Sequence, residues 1–566
     1  MRTTTKEGMT RSRFFQRAQL MTVSLASVML LSSGLSASLA HARPTTDVPP
    51  EPKVDCSGLQ GSITLKDQSV PLGQSTTVTW VVTVPKSCTD LNLYVGGVPV
   101  SPTGSRSIQP LSTSTYRLEA MYGNSGRREL GSATIRVTLP NPLTINANSM
   151  VPTLLQALQT ADQHIIVANQ VELDLSYVDA IQVASGVTLE GSRTAREPGP
   201  RLFTTTRPLR LFNITGDNVR ITGVRLEGAD MGVVEGDAES IGIFVRPSVE
   251  IRNVEIDHNE LSGWCWAAVQ IWDVDDKIAY PKNHEAVRIH DNFIHHNQHS
   301  EGNGYGVAVG HGAYALIDRN VFDYNRHAIS GEDGSDGSGF LAYENLILEN
   351  GGLQRDILGI WTHAQQFDMH AQHNCGHFSY NCGPAGEYMD IRYNSFFYTE
   401  KYAFELRGTP SIAADVTNNV FAHGALFTTV VQTGPTTSQV IGGALEQHET
   451  GLYPANNAQN ETGLHPANNL VGVNAMHELG SCDFDGDGRN DLFLATGQTW
   501  WYSSGGDKPW AYLNRSKKRR AEVTLGFFDG DNRCDVMVDG VIYPGGKPKQ
   551  SVNTSPLGGG TVGAAR

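Results

Sequence analysis

The sequence predicts a mainly β, multidomain protein built around a solenoid of short strands. Three observations carry that reading. The chain has 566 residues, more than the roughly 250 to 300 that one hydrophobic core organises. Its 39% hydrophobic and 8% aromatic content is too high for disorder, and its 59 glycines follow no triplet, which excludes collagen. Finally, a strand-like phrase of apolar, any, apolar, any, any, Asn recurs, ending at Asn259, Asn292, Asn320, Asn345 (weaker), Asn394 and Asn419. The asparagine spacings are 33, 28, 25, 49 and 25. A period near 25, with 49 read as one coil lacking its marker, suits a solenoid that turns apolar side chains inward and stacks asparagine at a repeated corner.

Residues 1–42 read as a secretory signal, with Arg2, Lys6, Arg11, Arg13 and Arg17 ahead of an apolar stretch and small residues at Ala40 and Ala42. Its removal takes the formal charge from −15 to −19, a balance that argues against nucleic acid. No later segment approaches the 18 or so apolar residues of a membrane span. Six of the seven cysteines form local pairs suited to an oxidising compartment: Cys56 with Cys88, Cys375 with Cys382, and Cys482 with Cys534. Cys265, between Trp264 and Trp266, reads as a buried thiol.

Residues 43–53 are a proline-rich linker. Residues 54–140 alternate over 62–65, 76–84, 91–95, 115–121 and 132–139, the pattern of a small β-sandwich, and the runs 73–80 and 112–116 resemble bacterial immunoglobulin-like modules. The solenoid occupies 141–445. Its entry, a helical stretch near 152–161 followed by His164-Ile-Ile-Val167, Val171-Glu-Leu-Asp-Leu175, Ile181-Gln-Val183 and Val187-Thr-Leu-Glu-Gly191, resembles the capped start of the pectate-lyase-like family. That resemblance implies a right-handed parallel β-helix, a scaffold that hosts lyases, hydrolases, epimerases, esterases and adhesins.

Residues 446–474 read as a spacer with a duplicated phrase, 451–457 and 463–469. In 475–545, Asp483, Asp485, Asp487, Arg489 and Asp491 lie in a glycine-bearing loop whose hard oxygen ligands suit calcium. Leu494 in place of a bidentate glutamate excludes an EF-hand; the loop and the strand after it resemble FG-GAP or VCBS repeats. A second copy offers Asp529, Asp531 and Asp535, with Phe527 at its first position, and should bind more weakly. Residues 546–566 read as a flexible tail.

Twelve of the 18 histidines fall between His258 and His377. Within that stretch, Arg326 and His327 follow a repeat strand, so one of them faces outward; His327 is the choice for an outward titratable group, against a buried histidine bonded to a neighbouring coil. Asp368 and His370 share a face about one coil on and can stack near His327. His370, His373 and His377, with Cys375, are the alternative to the Cys375–Cys382 disulfide as a zinc or other transition-metal site. Ile256-Asp257-His258 resembles the Ile-Asp-His strand of pectate lyases, which implies a calcium aspartate. Gly310-His311-Gly312 resembles the polygalacturonase histidine motif, whose companion motifs are missing, and Phe367-Asp-Met-His370 resembles the Asp-Pro-His motif of mannuronan epimerases with methionine for proline.

The expected function is a secreted enzyme acting on an extracellular polysaccharide, by elimination or C5 epimerisation of a uronate. That chemistry needs a neutraliser (Arg326, Arg407 or a metal), a base (His327 or His370) and a proton donor (Tyr305 or Tyr388). A glycoside hydrolase would instead need a carboxyl pair drawn from Glu332, Asp333, Asp368 and Glu387. A noncatalytic glycan-binding rod is the third reading.

Overall fold

A computed structural model describes residues 56–89, 91–122, 128–230, 232, 239–246, 252–273, 287–299, 302–331, 337–355, 361–371, 384–424, 429–433 and 464–547. The expected leader, the Cys375–Cys382 pair, His373, His377, Glu332, Asp333 and the tail from 548 lie outside these residues.

The centre of the chain is the parallel β-helix that the repeat predicts. Among the described residues its strands form three parallel sheets of eleven, ten and nine strands, each coil contributing one strand to each sheet in turn. Helix Val151–Leu158 covers the first coils through buried Leu154, Ala157 and Leu158. Alternation sets the core: in the nine-stranded sheet Val309, Ile329, Phe367 and Phe404 point inward, while Ala308, Ser330, Asp368 and Glu405 line up on the outward face.

The corner between the eleven- and ten-stranded sheets carries the asparagine ladder. A residue in the left-handed region (His258, Asp291, Arg319, Glu344, Tyr393, Asn418, Asn468; φ between 52° and 62°) turns the chain immediately before each ladder asparagine. The asparagine then spans the coils. Asn345 Nδ2 donates to the Ile317 carbonyl at 2.8 Å and to Asn394 Oδ1 at 2.9 Å, while its Oδ1 accepts from the Asn320 backbone N–H at 2.9 Å. Fully buried asparagines are thereby satisfied, and they satisfy backbone groups that the turn takes out of the sheets.

Two sequence readings are corrected here. The interval of 49 between Asn345 and Asn394 is one long coil, since Gly339–Tyr343 pairs directly with Tyr388–Arg392; part of its extra length forms a hairpin of Leu353–Arg355 and Trp361–His363. The solenoid also runs through the expected spacer. Leu464–Ala467 and Leu470–Val471 join the eleven- and ten-stranded sheets, and Asn469, from the second copy of the duplicated phrase, accepts from Asn419 as a ladder rung.

Before the solenoid lie sheets of three and five strands, with a Cys56–Cys88 disulfide. After it, sheets of four and three strands are joined by Cys482–Cys534. This C-terminal module is docked on the solenoid. On the ten-stranded sheet Phe293, Val321, Leu346, Ser395, Val420 and Leu470 are aligned strand to strand in one outward row. Leu494, Trp501, Trp510 and Tyr512 of the module pack on it. Around that apolar seam Arg515 pairs with Glu344, and Arg196 of the solenoid donates to Asp485 at 2.9 Å.

Candidate active site

The outward face of the nine-stranded sheet brings together His327, Asp368 and His370, whose ligating atoms lie within 4.8 Å of one another. Asp368 is the hub. It stands on Phe367–His370 between inward-pointing Phe367 and Met369, and its side chain is fully buried. Both oxygens are engaged. Arg407 grips them as a fork, Nε to Oδ1 at 2.9 Å and Nη2 to Oδ2 at 2.7 Å, while Oδ2 also accepts from Gln365 Nε2 at 3.0 Å and from His370 Nε2 at 2.6 Å. Burial alone would raise the carboxyl pKa; the flanking His370 and His327 rings, the hydrogen bond from His370 and the Arg407 cation outweigh it and hold Asp368 ionised far below the carboxylate range. A group so fixed cannot donate a proton to a leaving group. It can orient its partners.

Those partners are presented side by side. His370 and Arg407 are directly paired residues of adjacent strands, and their side chains are 16% and 19% exposed. Asp368 takes Nε2 of the imidazole, so Nδ1 is the nitrogen available for chemistry; it takes Nε and Nη2 of the guanidinium, so Nη1 lies outside the fork. Burial lowers the Arg407 pKa, but Asp368 and Glu405 raise it further than burial lowers it, and the cation is permanent.

His327 is not the outward titratable group that its position suggests. Its side chain is fully buried, Nδ1 donates to the Gln365 carbonyl at 2.6 Å, and burial drives its pKa well below the ordinary value. Nε2 sits 3.3 Å from Asp368 Oδ2 without the alignment of a hydrogen bond. Strand alternation breaks here: Ala328 and Ile329 both enter the core, and their N–H groups share the Gln366 carbonyl at 2.8 and 3.2 Å. His327 is a support behind Gln365 and Asp368. Arg326 lies beside it, bonded to the Gly302 carbonyl and 3.3 Å from the Tyr305 hydroxyl, and the Tyr305 ring stacks on His327 with centroids 5.6 Å apart.

The cluster makes a poor fit for a metal. A dication on Asp368 would displace, or face at contact distance, the guanidinium that already spans both oxygens.

His311 lies apart from the cluster but on the same face. Ile271, Val309, Gly331 and Met369 are register partners in successive strands, so the residues that follow them, Trp272, Gly310 and His370, share a row. His311 adjoins that row with its ring 4.5 Å from Trp272, which also meets Phe244 at 5.3 Å. Trp272 stands three strands from His370, about 14 Å at the usual strand spacing. Gln365 and Trp272 carried no sequence signal: a lone glutamine and a tryptophan in a repeat strand acquire meaning only through register.

Other expectations are placed elsewhere. Asp257 is not held open for calcium; both oxygens receive Arg220, at 2.8 and 2.7 Å, with Thr222 and His258 adding bonds at 2.8 and 2.7 Å. Tyr388 lies on the eleven-stranded sheet, bonded to Asp415 at 3.1 Å, and Glu387 accepts from Tyr314 at 3.0 Å. Cys265 is a buried thiol outside any disulfide, its pKa pushed up to about 12 by burial.

In the C-terminal module Asp483, Asp485 and Asp491 each turn an oxygen into one cluster, as do Asp529, Asp531 and Asp535. Asp487 turns instead to Arg489, at 2.9 Å, so the structure gathers three of the five residues of the expected set. These three carboxylates fit a hard cation, and the glycines at 486 and 488 let the loop wrap them, with φ of 76° and 84°.

No protein-family model matches the chain, and no curated protein matches it in sequence. Among solved structures, the Yersinia enterocolitica family 28 exopolygalacturonase is similar at 10% identity, over 73% of this chain and 86% of its own, with a TM-score of 0.28. A superposition at that score says nothing about chemistry.

Proposed function

We propose that the protein is an exported polysaccharide-active enzyme that abstracts the C5 proton of a uronate residue bound along the nine-stranded sheet, as a lyase or a C5 epimerase. The carrying observation is the pair His370 and Arg407, held side by side by buried Asp368 on the outward side of the nine-stranded sheet. Arg407 Nη1 would receive the sugar carboxylate and draw charge from it, acidifying the adjacent C5–H. His370 Nδ1 would take that proton, with Asp368 stabilising the imidazolium that forms. In elimination the C4–O4 bond then breaks as C4=C5 forms, and the leaving oxygen takes a proton from Tyr305 or solvent. In epimerisation a proton returns to the opposite face. Trp272, with His311 against it, offers a platform for a sugar further along the chain, which suits a polymer better than a single residue. Hydrolysis is less well supported, because Asp368 is held ionised by its donors.

Incubating the purified chain with uronate and neutral glycans tests the reading: ultraviolet absorbance of unsaturated uronide marks a lyase, altered uronate stereochemistry by NMR an epimerase, and reducing ends without absorbance a hydrolase. His370→Ala should lower turnover about 10²- to 10⁴-fold with the melting temperature unchanged. An unreactive panel would favour a glycan-binding rod. We further propose calcium at Asp483, Asp485 and Asp491, with weaker binding at Asp529, Asp531 and Asp535. Calcium should raise the melting temperature of the parent and leave that of Asp483→Asn unmoved. Export is supported by the two disulfides.

A further inference from the structure

A cavity of about 250 Å³ lies between the solenoid and the C-terminal module, on the ladder corner rather than on the nine-stranded sheet. Its wall on the solenoid side includes Arg193, Asp291 and Arg319, and its wall on the module side Trp510, Tyr512 and Lys547. The polar groups are held in place before any ligand arrives. Arg319 forks onto Asp291, Nε to Oδ1 at 3.1 Å and Nη2 to Oδ2 at 2.8 Å, and Asp291 also receives His290 Nδ1 at 2.7 Å. Arg193 reaches the His258 carbonyl at 3.2 Å and Glu260 at 3.5 Å, with its side chain 9% exposed. Trp510 and Tyr512 are half-buried, part of the seam that fixes the module.

We infer that this cavity is a second saccharide-binding site, separate from the candidate active site, and that it takes an acidic sugar. Arg319 is committed to Asp291 and, through Nη1, to Asp318 at 2.8 Å, and serves to fix the wall; the Asp291 carboxylate it holds and the Arg193 guanidinium, itself held by the His258 carbonyl and Glu260, can bond sugar hydroxyls at little entropic cost on binding. Aromatic faces beside them receive the C–H face of a pyranose. The volume falls below the roughly 300–1,000 Å³ of drug-sized pockets and suits one or two sugar rings. Asp291 in the wall opposes a phosphate-rich ligand. Lys547 and His258 are exposed at the margin, where a sugar carboxylate could turn outward to meet them. The site would hold the polymer on one face of the solenoid while the nine-stranded sheet works on another stretch of it.

The acidic character of the sugar rests on the proposed function, whereas the saccharide assignment rests on the cavity wall, and the test separates them. Calorimetric titration of full-length His370→Ala, which cannot turn substrate over, with tetragalacturonate and tetramannuronate should give two sites for at least one probe. Lys547→Ala and His258→Ala should weaken one of the two about tenfold and leave the other, and Trp510→Phe should do so without disturbing the seam, each at the parental melting temperature. A single site, or two sites untouched by all three substitutions, overturns the inference. Cellotetraose binding that Lys547→Ala does not weaken overturns the acidic assignment. Binding that depends on the cavity in a protein inert on every uronate would sink the proposed function and spare this one; turnover with one site would do the reverse.

Discussion

Asp368→Asn is the sharpest single perturbation of the proposed site. An asparagine can place its oxygen where Oδ2 lies and keep the bonds from Gln365, His370 and Arg407 Nη2, but its NH2 then meets Arg407 Nε, a donor now 2.9 Å from Oδ1. One charge-assisted bond becomes a clash, and the buried guanidinium loses its counterion. Removing one partner of a buried pair costs about 3–5 kcal/mol. The lower end applies here, because Glu405 stands 3.6 Å from Arg407 Nε and the Arg407 side chain is 19% exposed. We therefore expect about 3 kcal/mol from urea unfolding. In a double-mutant cycle with Arg407→Gln, the coupling energy should reach at least about 1.5 kcal/mol, within the range of contacting residues. Turnover should fall by more than this instability explains, because His370 loses the anion that stabilises its protonated form. A chain that unfolds within about 1 kcal/mol of the parent and keeps parental turnover would refute both the hub and the role given to His370.

Asn345→Ala removes the acceptor of the Asn320 N–H and the donor to the Ile317 carbonyl, two buried backbone groups, and should cost about 3–4 kcal/mol at about 1–3 kcal/mol per orphaned group, read from denaturant unfolding. Cys482→Ser with Cys534→Ser opens a link spanning 52 residues and should destabilise the C-terminal module by about 4 kcal/mol on loop-entropy grounds, seen as a separate early transition in calorimetry. His296 gives a pH signature: burial, with His295 beside it, lowers its pKa from 6.5 to about 4, so the unfolded chain binds the extra proton between those values. Stability should be fully present above pH 6.5 and fall by about 3 kcal/mol towards pH 4, and His296→Gln should flatten that slope in unfolding curves.

The solenoid was legible because its signal is local and repeated. The phrase ending in asparagine reports inward strand positions and a buried corner at once, and six of the ladder asparagines, Asn259 to Asn419, are marked by it. The seventh, Asn469, was hidden inside the duplicated phrase read as a spacer, where Pro466 stands at an apolar position of the repeat and pairs in register with Val416. The histidine concentration misled for a different reason. Counting along the chain cannot separate three sheets: His290 belongs to the eleven-stranded sheet, His295 to the ten-stranded, and His327 and His370 to the nine-stranded. His290, for example, is taken up in a bridge between Glu255 and Asp291, each at 2.7 Å. Asp368 and His370 were legible as a pair because they sit two apart on one strand. Arg407, 39 residues on, joins them only through register.

The three sheets share one core, yet their outward rows differ in chemistry, and that division explains how one solenoid can dock a module on one face and keep different chemistry on another. On the eleven-stranded sheet the rows are charged: Arg220 meets Glu255 and Asp257, and Arg288 forks onto Asp318 at 2.8 and 2.7 Å. On the ten-stranded sheet the row from Phe293 to Leu470 is apolar apart from Ser395, and the module covers it. On the nine-stranded sheet the row from Gln270 through Ala308 and Ser330 to Asp368 and Glu405 is polar and small until it reaches the hub. Because alternation separates outward from inward positions, each row can vary without touching the core. The module consumes the apolar face and, where its edge overhangs the ladder corner, closes the second cavity. On the proposed function the nine-stranded face is the one left for a long polymer at His370 and Arg407, and on the proposed second site the docked module would hold another stretch of it.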